Sequence, residues 1–146
     1  MAMNRRKARE LAFTLLYEAT FYEEKDAAAL YEEEISLRGA ETDAYVENVV
    51  TGVRAHQTEI DALIEKYASG WTVRRISRVS LAIMRLCIYE MLYVEDIPYN
   101  VSINEAVELC KKFNDEKANA FVNGVLNAAA ENEGVKEKKK DKKNPV

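Results

Sequence analysis

The sequence predicts an all-α fold. Apolar residues make up 48% of the chain, but it contains only 5 glycines and 2 prolines, a composition that favours long helices over a turn-rich β fold. No segment alternates apolar and polar residues for long enough to predict a strand. Several stretches instead repeat apolar residues at three- and four-residue spacing. They predict about seven helices in one bundle-like domain, divided into two small groups around residues 69–80.

The N-terminal half contains three such stretches. The first carries its apolar stripe on residues 8–22 and leaves Arg5, Arg6 and Arg9 off that stripe. Residues 56–58 interrupt the third stretch, and the pattern alone leaves open whether they form a kink or a break. Polar residues are expected to cap these helices at their amino ends: Asn4, Asp26, and either Thr42 or Asp43.

The C-terminal half is centred on residues 80–94, which are apolar nearly all round and predict a helix enclosed by others. The segment is shorter than the roughly 20 residues that a membrane helix needs, and Arg85 and Glu90 interrupt it. Ser102, with Glu105 three residues later, predicts a capping box at the start of the next helix.

The end of the chain predicts a helix followed by a tail. Asp115 is expected to cap the last helix, in which Phe121 faces inward; Phe113, before it, is also expected to face inward. From residue 134 the chain is rich in lysine and almost without apolar residues, so it is expected to be disordered. We therefore expect a domain over residues 1–133 and a disordered tail over residues 134–146.

The net charge of −4 conceals an uneven distribution. Residues 26–70 carry ten acidic against three basic residues, whereas the first ten residues have a net charge of +3 and residues 134–146 one of +4. Because a polyanion responds to the local potential as well as to the total charge, this distribution is compatible with nucleic-acid binding. Solvated charge at the two termini is the alternative.

No catalytic, metal or cofactor site is predicted. The glycines form no phosphate-binding loop, and the single histidine, His56, has neither a nucleophile elbow nor cysteine ligands near it in the sequence. Cys87 and Cys110 lie in apolar patterns and are expected to be buried thiols in a reducing compartment. The start of the chain does not resemble a signal peptide. We expect a soluble cytoplasmic protein that is not an enzyme.

The leading candidate site is the basic cluster that opens the first helix, formed by Arg5, Arg6, Lys7 and Arg9. Guanidinium groups suit phosphate because they are permanently charged and donate paired hydrogen bonds. Cations at a helix start oppose the helix dipole, so this cluster slightly weakens its own helix. A bound phosphate backbone would explain why the cluster is there.

A second candidate lies where two later helices meet. Lys111 and Lys112 precede Phe113, and Lys117 precedes Phe121 by one turn. Cations beside aromatic rings are what single-stranded RNA requires, because phosphate neutralisation and base stacking supply most of its affinity. The alternative is structural: lysines favour helix carboxyl ends, and both rings could belong to the core. Three asparagines spaced one turn apart could likewise be structural or read bases: Asn119, Asn123 and Asn127.

Several sequence blocks resemble those of the NusB family, in the family's order and over about residues 4–130. They are RRKARE at 5–10, LY at 16–17, LAIMRL at 81–86, YEML at 89–92, IPY at 97–99, INEAVEL at 103–109 and FVNGVL at 121–126. The chain departs from the family at Asn114, where glycine is usual, and at Asn127, where an acidic residue is usual. Because asparagine tolerates the left-handed conformation, the turn at Asn114 is expected to survive.

The resemblance implies two small helical bundles and a function in transcription antitermination. It implies binding to boxA of nascent ribosomal RNA together with NusE, a small-subunit ribosomal protein, and an indirect link to elongating RNA polymerase. It leaves open whether the chain forms a homodimer. The implied RNA contacts are Arg5, Arg6, Lys7 and Arg9, then Lys111, Lys112, Lys117 and Phe121. The implied NusE contacts are Trp71, Arg74, Arg75 and Arg78.

Two other interpretations remain at this point. A NusB-like domain also occurs in some ribosomal RNA cytosine methyltransferases, which add a catalytic domain that this sequence does not predict. Alternatively, the chain is a helical adaptor that contacts only proteins, and its basic segment has no ligand.

Overall fold

The structure, a computed structural model, describes residues 4–22, 27–38 and 43–143. Within these ranges the chain forms eight α-helices and no strand, so the predicted all-α class is confirmed. The helices are α1 (Arg5–Ala19), α2 (Ala27–Arg38), α3 (Ala44–Ala55), α4 (Gln57–Tyr67), α5 (Arg78–Tyr93), α6 (Tyr99–Phe113), α7 (Glu116–Asn132) and α8 (Val135–Lys143). A single 3-10 turn (Val73–Arg75) lies between α4 and α5.

Helix α5 is the centre of the molecule, as its apolar sequence predicted. Every residue from Ser80 to Met91 is buried. On one side α5 packs against α1 and α3, which form a group with α2, and on the other against α4, α6 and α7, with α8 added to the second group. Among the described residues, no helix has the length and apolar character needed to cross a bilayer.

Three of the predicted caps are present. The side chains of Asn4 and Asp115 accept hydrogen bonds from the backbone N–H groups three residues later, at 2.9 and 2.8 Å. Asp43 caps α3, so the choice between Thr42 and Asp43 is decided. His56 ends α3 and precedes α4, which makes residues 56–58 a break between two helices. Asp26 lies outside the described residues.

The predicted capping box at Ser102 is wrong. Helix α6 begins three residues earlier, at Tyr99, where Pro98 holds a φ of −60° just before the first turn. Ser102 is therefore inside the helix and buried, and its hydroxyl donates to Glu90 Oε1 at 2.8 Å. Glu105 likewise contacts Arg6 and Arg9 of α1 and does not bond to the amino end of α6.

Glu90 is a buried carboxylate that accepts several hydrogen bonds. Its side chain is 1% exposed, and it accepts hydrogen bonds from Arg9 (Nε to Oε2, 2.8 Å), from Ser102 and from the hydroxyl of Tyr45. Burial raises the pKa of Tyr45, so its hydroxyl keeps the proton that it donates. Glu90 thereby connects α5 to α1, α3 and α6 through one carboxylate.

The helical pattern placed Arg9 off the buried face of α1, and this prediction is wrong. It is 5% exposed, and its guanidinium also donates to Glu105 Oε1 at 3.2 Å. The other charge in the apolar helix, Arg85, is matched in the same way by two 2.8 Å hydrogen bonds to Asp61 of α4. Each charge that interrupts α5 is therefore paired with a residue of another helix.

The lysine-rich segment forms a helix where disorder was expected. Val135 and Lys139 are buried, and Lys139 Nζ donates to the carbonyls of Glu90, Val94 and Ile97 at 2.5 to 3.0 Å. These carbonyls lie at and beyond the end of α5, where a helix leaves acceptors unpaired. Burial lowers the pKa of Lys139. The boundary between domain and tail at residue 133 stays a prediction.

Removing the Glu90 carboxylate should destabilise the fold strongly. Glu90→Ala leaves Arg9 buried without its main partner, so we expect the free energy of unfolding to fall by about 3–5 kcal/mol in urea denaturation. Glu108→Ala removes an exposed carboxylate from the neighbouring helix and should change it by less than about 0.5 kcal/mol. Similar losses in the two variants would contradict the role given to Glu90.

Removing the Lys139 ammonium should release α8. Lys139→Met keeps the apolar stem but loses three charge-assisted hydrogen bonds, so the amides of α8 should exchange with deuterium at least about tenfold faster. Lys138→Met removes the same charge from an exposed neighbour and should leave exchange unchanged. Undiminished protection of α8 in Lys139→Met would disprove this function of the lysine.

Candidate nucleic-acid interface

The amino end of α1 presents three exposed cations, Arg5, Arg6 and Lys7. The guanidinium of Arg5 lies 4.4 Å from the centre of the Tyr45 ring. Arg6 makes a paired contact with Glu105 of α6, at 2.7 and 3.2 Å, although 71% of its side chain is exposed. This hydrogen bonding raises the pKa of Arg6 and lowers that of Glu105.

An open cleft of about 290 Å³ lies between α1 and α6. It brings together residues of the first and second predicted RNA contacts, which are far apart in the sequence. Both charge signs line it: Arg6, Arg9, Lys111 and Lys112 face Glu10, Glu105 and Glu108, with Leu109 among them. The spatial convergence of the two basic segments is the main geometric support for a single interface.

The cations of the cleft are already paired with carboxylates. Lys112 Nζ contacts both oxygens of Glu10, at 2.8 and 3.0 Å, and Lys111 Nζ lies 3.5 Å from Glu108 Oε1. These lysines and Arg6 remain exposed, so a phosphate can reach them. A polyanion that enters the cleft would therefore have to replace these carboxylates as the partners of the cations.

A row of aromatic rings leads from the cleft along α1. Phe113 was expected to face inward, but its ring is partly exposed and packs on Phe13 at a centroid distance of 4.9 Å. The row continues through Tyr17 to the exposed Phe21, 5.4 Å apart. The guanidinium of Arg78 lies 4.4 Å from the centre of the Phe21 ring.

A second aromatic contact joins the connector before α5 to the start of α7. The rings of Trp71 and Phe121 meet edge to face, with centroids 6.4 Å apart, and the Arg75 guanidinium lies 5.7 Å from the Trp71 ring centre. Phe121 is half-buried, and the exposed Lys117 precedes it by one turn on α7. The residues predicted to contact NusE therefore lie in different surroundings. Trp71 contacts Phe121, a predicted RNA contact, and has Arg75 beside it, whereas Arg78 lies over Phe21, just beyond the end of α1. Arg74 is exposed.

The asparagines of this region have structural contacts. Asn127 Nδ2 donates to the backbone and side-chain oxygens of Asn123, and both residues are exposed. Asn119 can donate to the carbonyls of Cys110 and Asp115, at 3.2 and 3.1 Å, in one orientation of its amide. Asn114 is extended, with a φ of −128°, so the turn needs no left-handed residue, and its side chain binds Ser80 Oγ.

Reactive groups are few in the part of the chain that the structure describes. Cys87 and Cys110 are free buried thiols, and burial raises the pKa of each, which lowers their reactivity. His56 stacks on Tyr93 at 4.0 Å. No group of three potential metal ligands occurs among the described residues.

These features define a small helical protein whose recognition surfaces combine cations with aromatic rings. Comparison with known proteins identifies the family: its sequence model, described as the NusB family, matches residues 6–131, and the chain belongs to that family. The transcription antitermination protein NusB of Bacillus subtilis (strain 168) is 47% identical over 124 residues, 85% of this chain and 92% of that protein. That of Limosilactobacillus fermentum is 45% identical over 128 residues, 86% of this chain and 92% of that protein.

Solved structures show the same fold. Thermotoga maritima NusB superimposes with a TM-score of 0.80 at 32% identity, covering 94% of this chain and 98% of that one. A NusB chain crystallised with NusE and double-stranded RNA superimposes with a TM-score of 0.74 at 28% identity, covering 92% and 98%. The predicted family and fold are thus confirmed.

Proposed function

We propose that this chain is a non-enzymatic, cytoplasmic transcription antitermination factor that binds boxA RNA together with NusE and helps elongating RNA polymerase resist termination. The names of its relatives and its likeness to a NusB chain crystallised with NusE and RNA support this proposal. The observation that carries it is the α1–α6 cleft, where two basic segments distant in the sequence meet.

The exposed cations of the cleft are the proposed phosphate contacts. Arg5, Arg6 and Lys7 supply them from α1, and Lys111 and Lys112 from α6. Arg9, predicted as a fourth contact on α1, is buried against Glu90. We therefore assign it a positioning role: it fixes the helix turn that carries the exposed arginines, and it does not touch RNA.

Two further residues of the predicted RNA site extend this surface. Lys117 is exposed at the start of α7, just beyond the end of α6, and Phe121 follows it on the same face of the helix. A single strand needs both charge neutralisation and ring surfaces for its bases. Lys117 supplies the charge and Phe121 supplies the ring.

The proposed NusE surface is the outer end of the aromatic row. Phe21 is exposed, and Arg78 lies over its ring while its Nη1 donates to the carbonyl of Thr20. Aromatic and arginine side chains dominate the binding energy of protein interfaces. The arrangement suits a protein partner because Arg78 is held by the backbone while about half of the Phe21 side chain stays exposed.

Salt dependence tests the RNA site. If about four phosphates are neutralised, log K for a single-stranded boxA RNA should fall with log[salt] at a slope near −3, and Arg6→Gln should make that slope shallower by about 0.7. Fluorescence anisotropy at several salt concentrations measures both. Lys66→Gln is the matched control, because Lys66 is 60% exposed and pairs with Glu133 at 2.9 Å, much as Arg6 pairs with Glu105. Equal slopes for Arg6→Gln and the parent protein would favour the adaptor interpretation.

Truncation of Phe21 tests the NusE surface. Phe21→Ala should weaken NusE binding by about tenfold or more, since it removes an exposed anchor, and should leave binding of RNA alone unchanged. Titration calorimetry with NusE measures the first effect and anisotropy the second. Val101→Ala, which shortens an exposed apolar residue on α6, should affect neither. Unaltered NusE affinity in Phe21→Ala would place the partner elsewhere.

A further inference from the structure

We infer that Trp71 and Arg75 form, with Phe121 and Lys117, a base-stacking site for single-stranded RNA outside the α1–α6 cleft, and so do not belong to the protein-partner surface. The inference rests on the proposed RNA-binding function and extends it to the connector before α5. It reassigns two residues for which the family resemblance had implied contact with NusE.

Trp71 is held in place by the backbone around it. Ser69 and Gly70 both have positive φ values, 50° and 90°, and form the turn that ends α4. The N–H of Trp71 then donates to the carbonyl of Ala68 at 3.2 Å, and the N–H of Val73 donates to Glu65 Oε2 at 2.9 Å. The ring is therefore presented by an ordered connector, which lowers the entropy lost when a ligand stacks on it.

The ring is only partly used by the fold. Trp71 is 49% exposed, although Ile76, five residues later, is buried and anchors the connector to the core. Its neighbours are the ring of Phe121 and the guanidinium of Arg75, one aromatic and one cationic side chain. A large exposed ring beside a guanidinium complements a nucleotide, which has a flat base and an anionic phosphate.

The patch also continues the proposed RNA path. Helix α6 ends at Phe113 and α7 begins at Glu116, so Lys112 and Lys117 stand on either side of the short turn between them. Phe121 follows Lys117 by one turn on α7 and contacts Trp71. A strand that leaves the cleft over Lys112 can therefore pass Lys117 and place a base against Trp71.

Fluorescence gives a direct test, because Trp71 is the single tryptophan of the chain. A short single-stranded boxA RNA should quench its emission on binding. An abasic phosphodiester of the same length and charge should bind the cations and leave the emission nearly unchanged. Quenching by both, or by neither, at saturation would overturn base stacking on Trp71.

Substitutions separate the ring from the charge. Trp71→Leu should weaken RNA binding by about 5- to 100-fold without altering the salt slope, and Trp71→Phe should weaken it less. Arg75→Gln should weaken binding and make the slope shallower by about 0.7. Lys66→Gln is its control, because it removes one exposed positive charge from α4, outside the proposed RNA path, and should leave affinity and slope unchanged. Circular dichroism verifies that each variant is folded.

The outcomes distinguish this inference from the function on which it rests. Normal affinity in Trp71→Leu, with weakened binding in Arg6→Gln, overturns the stacking site and leaves the proposed function intact. Absence of RNA binding by the parent protein, with and without NusE, overturns the proposed function itself. Quenching by a tryptophan-free NusE without RNA, and none by RNA, overturns the stacking site in favour of a protein surface.

Discussion

A carboxylate cannot remain charged in an apolar core unless donors from its surroundings compensate for the water that it loses. Glu90 meets this requirement with Arg9, Tyr45 and Ser102, which come from three different helices. The geometry of these bonds fixes the register of α1 against α5 and α6. Because Arg5 and Arg6 lie on the turn just before Arg9, the same bonds determine where the exposed cations stand relative to Glu105 and the cleft. The stability of the core and the shape of the α1–α6 cleft thus depend on one buried group.

Helix α6 connects this buried network to the surface chemistry. Ser102 contributes to the network, Glu105 bridges it to Arg6, and Lys112 lines the cleft beyond. Beyond α6, two surface contacts join a guanidinium to an aromatic ring, one from the connector before α5 and one from the first residue of α5. Arg78 lies over Phe21 on the α1 side, whereas Arg75 lies over Trp71 on the α7 side. Arginines only three positions apart in the sequence therefore contact different aromatic rings, which is the geometric basis for proposing different ligands for them.

The sequence predicted the helical class, three caps and the buried central helix, because these follow from local periodicity and local hydrogen bonding. It failed where the outcome depends on distant residues. The helical pattern placed Arg9 off the apolar stripe, but Arg9 pairs with the buried Glu90. The one hint in the sequence was an acidic residue within an apolar segment, which requires a cation or other donors from elsewhere in the chain. Ser102 matched a capping pattern, but Glu90 used its hydroxyl instead. The docking of α8 depends on Lys139 reaching carbonyls some forty residues earlier, as its 42- to 49-residue separations show, and no local pattern reports that contact. Whether Phe113 and Trp71 are exposed is likewise decided by packing between helices.

The pairing of Lys112 with Glu10 and of Arg6 with Glu105 has a consequence for selectivity. Because carboxylates already neutralise Arg6 and Lys112, the two cations attract other anions little beyond the screening distance of about 10 Å. The chain as a whole is also acidic. These two side chains therefore attract a distant polyanion only weakly. They can bind a strand strongly only where its phosphates come close enough to replace Glu10 and Glu105, so the two ion pairs favour close fit over long-range attraction.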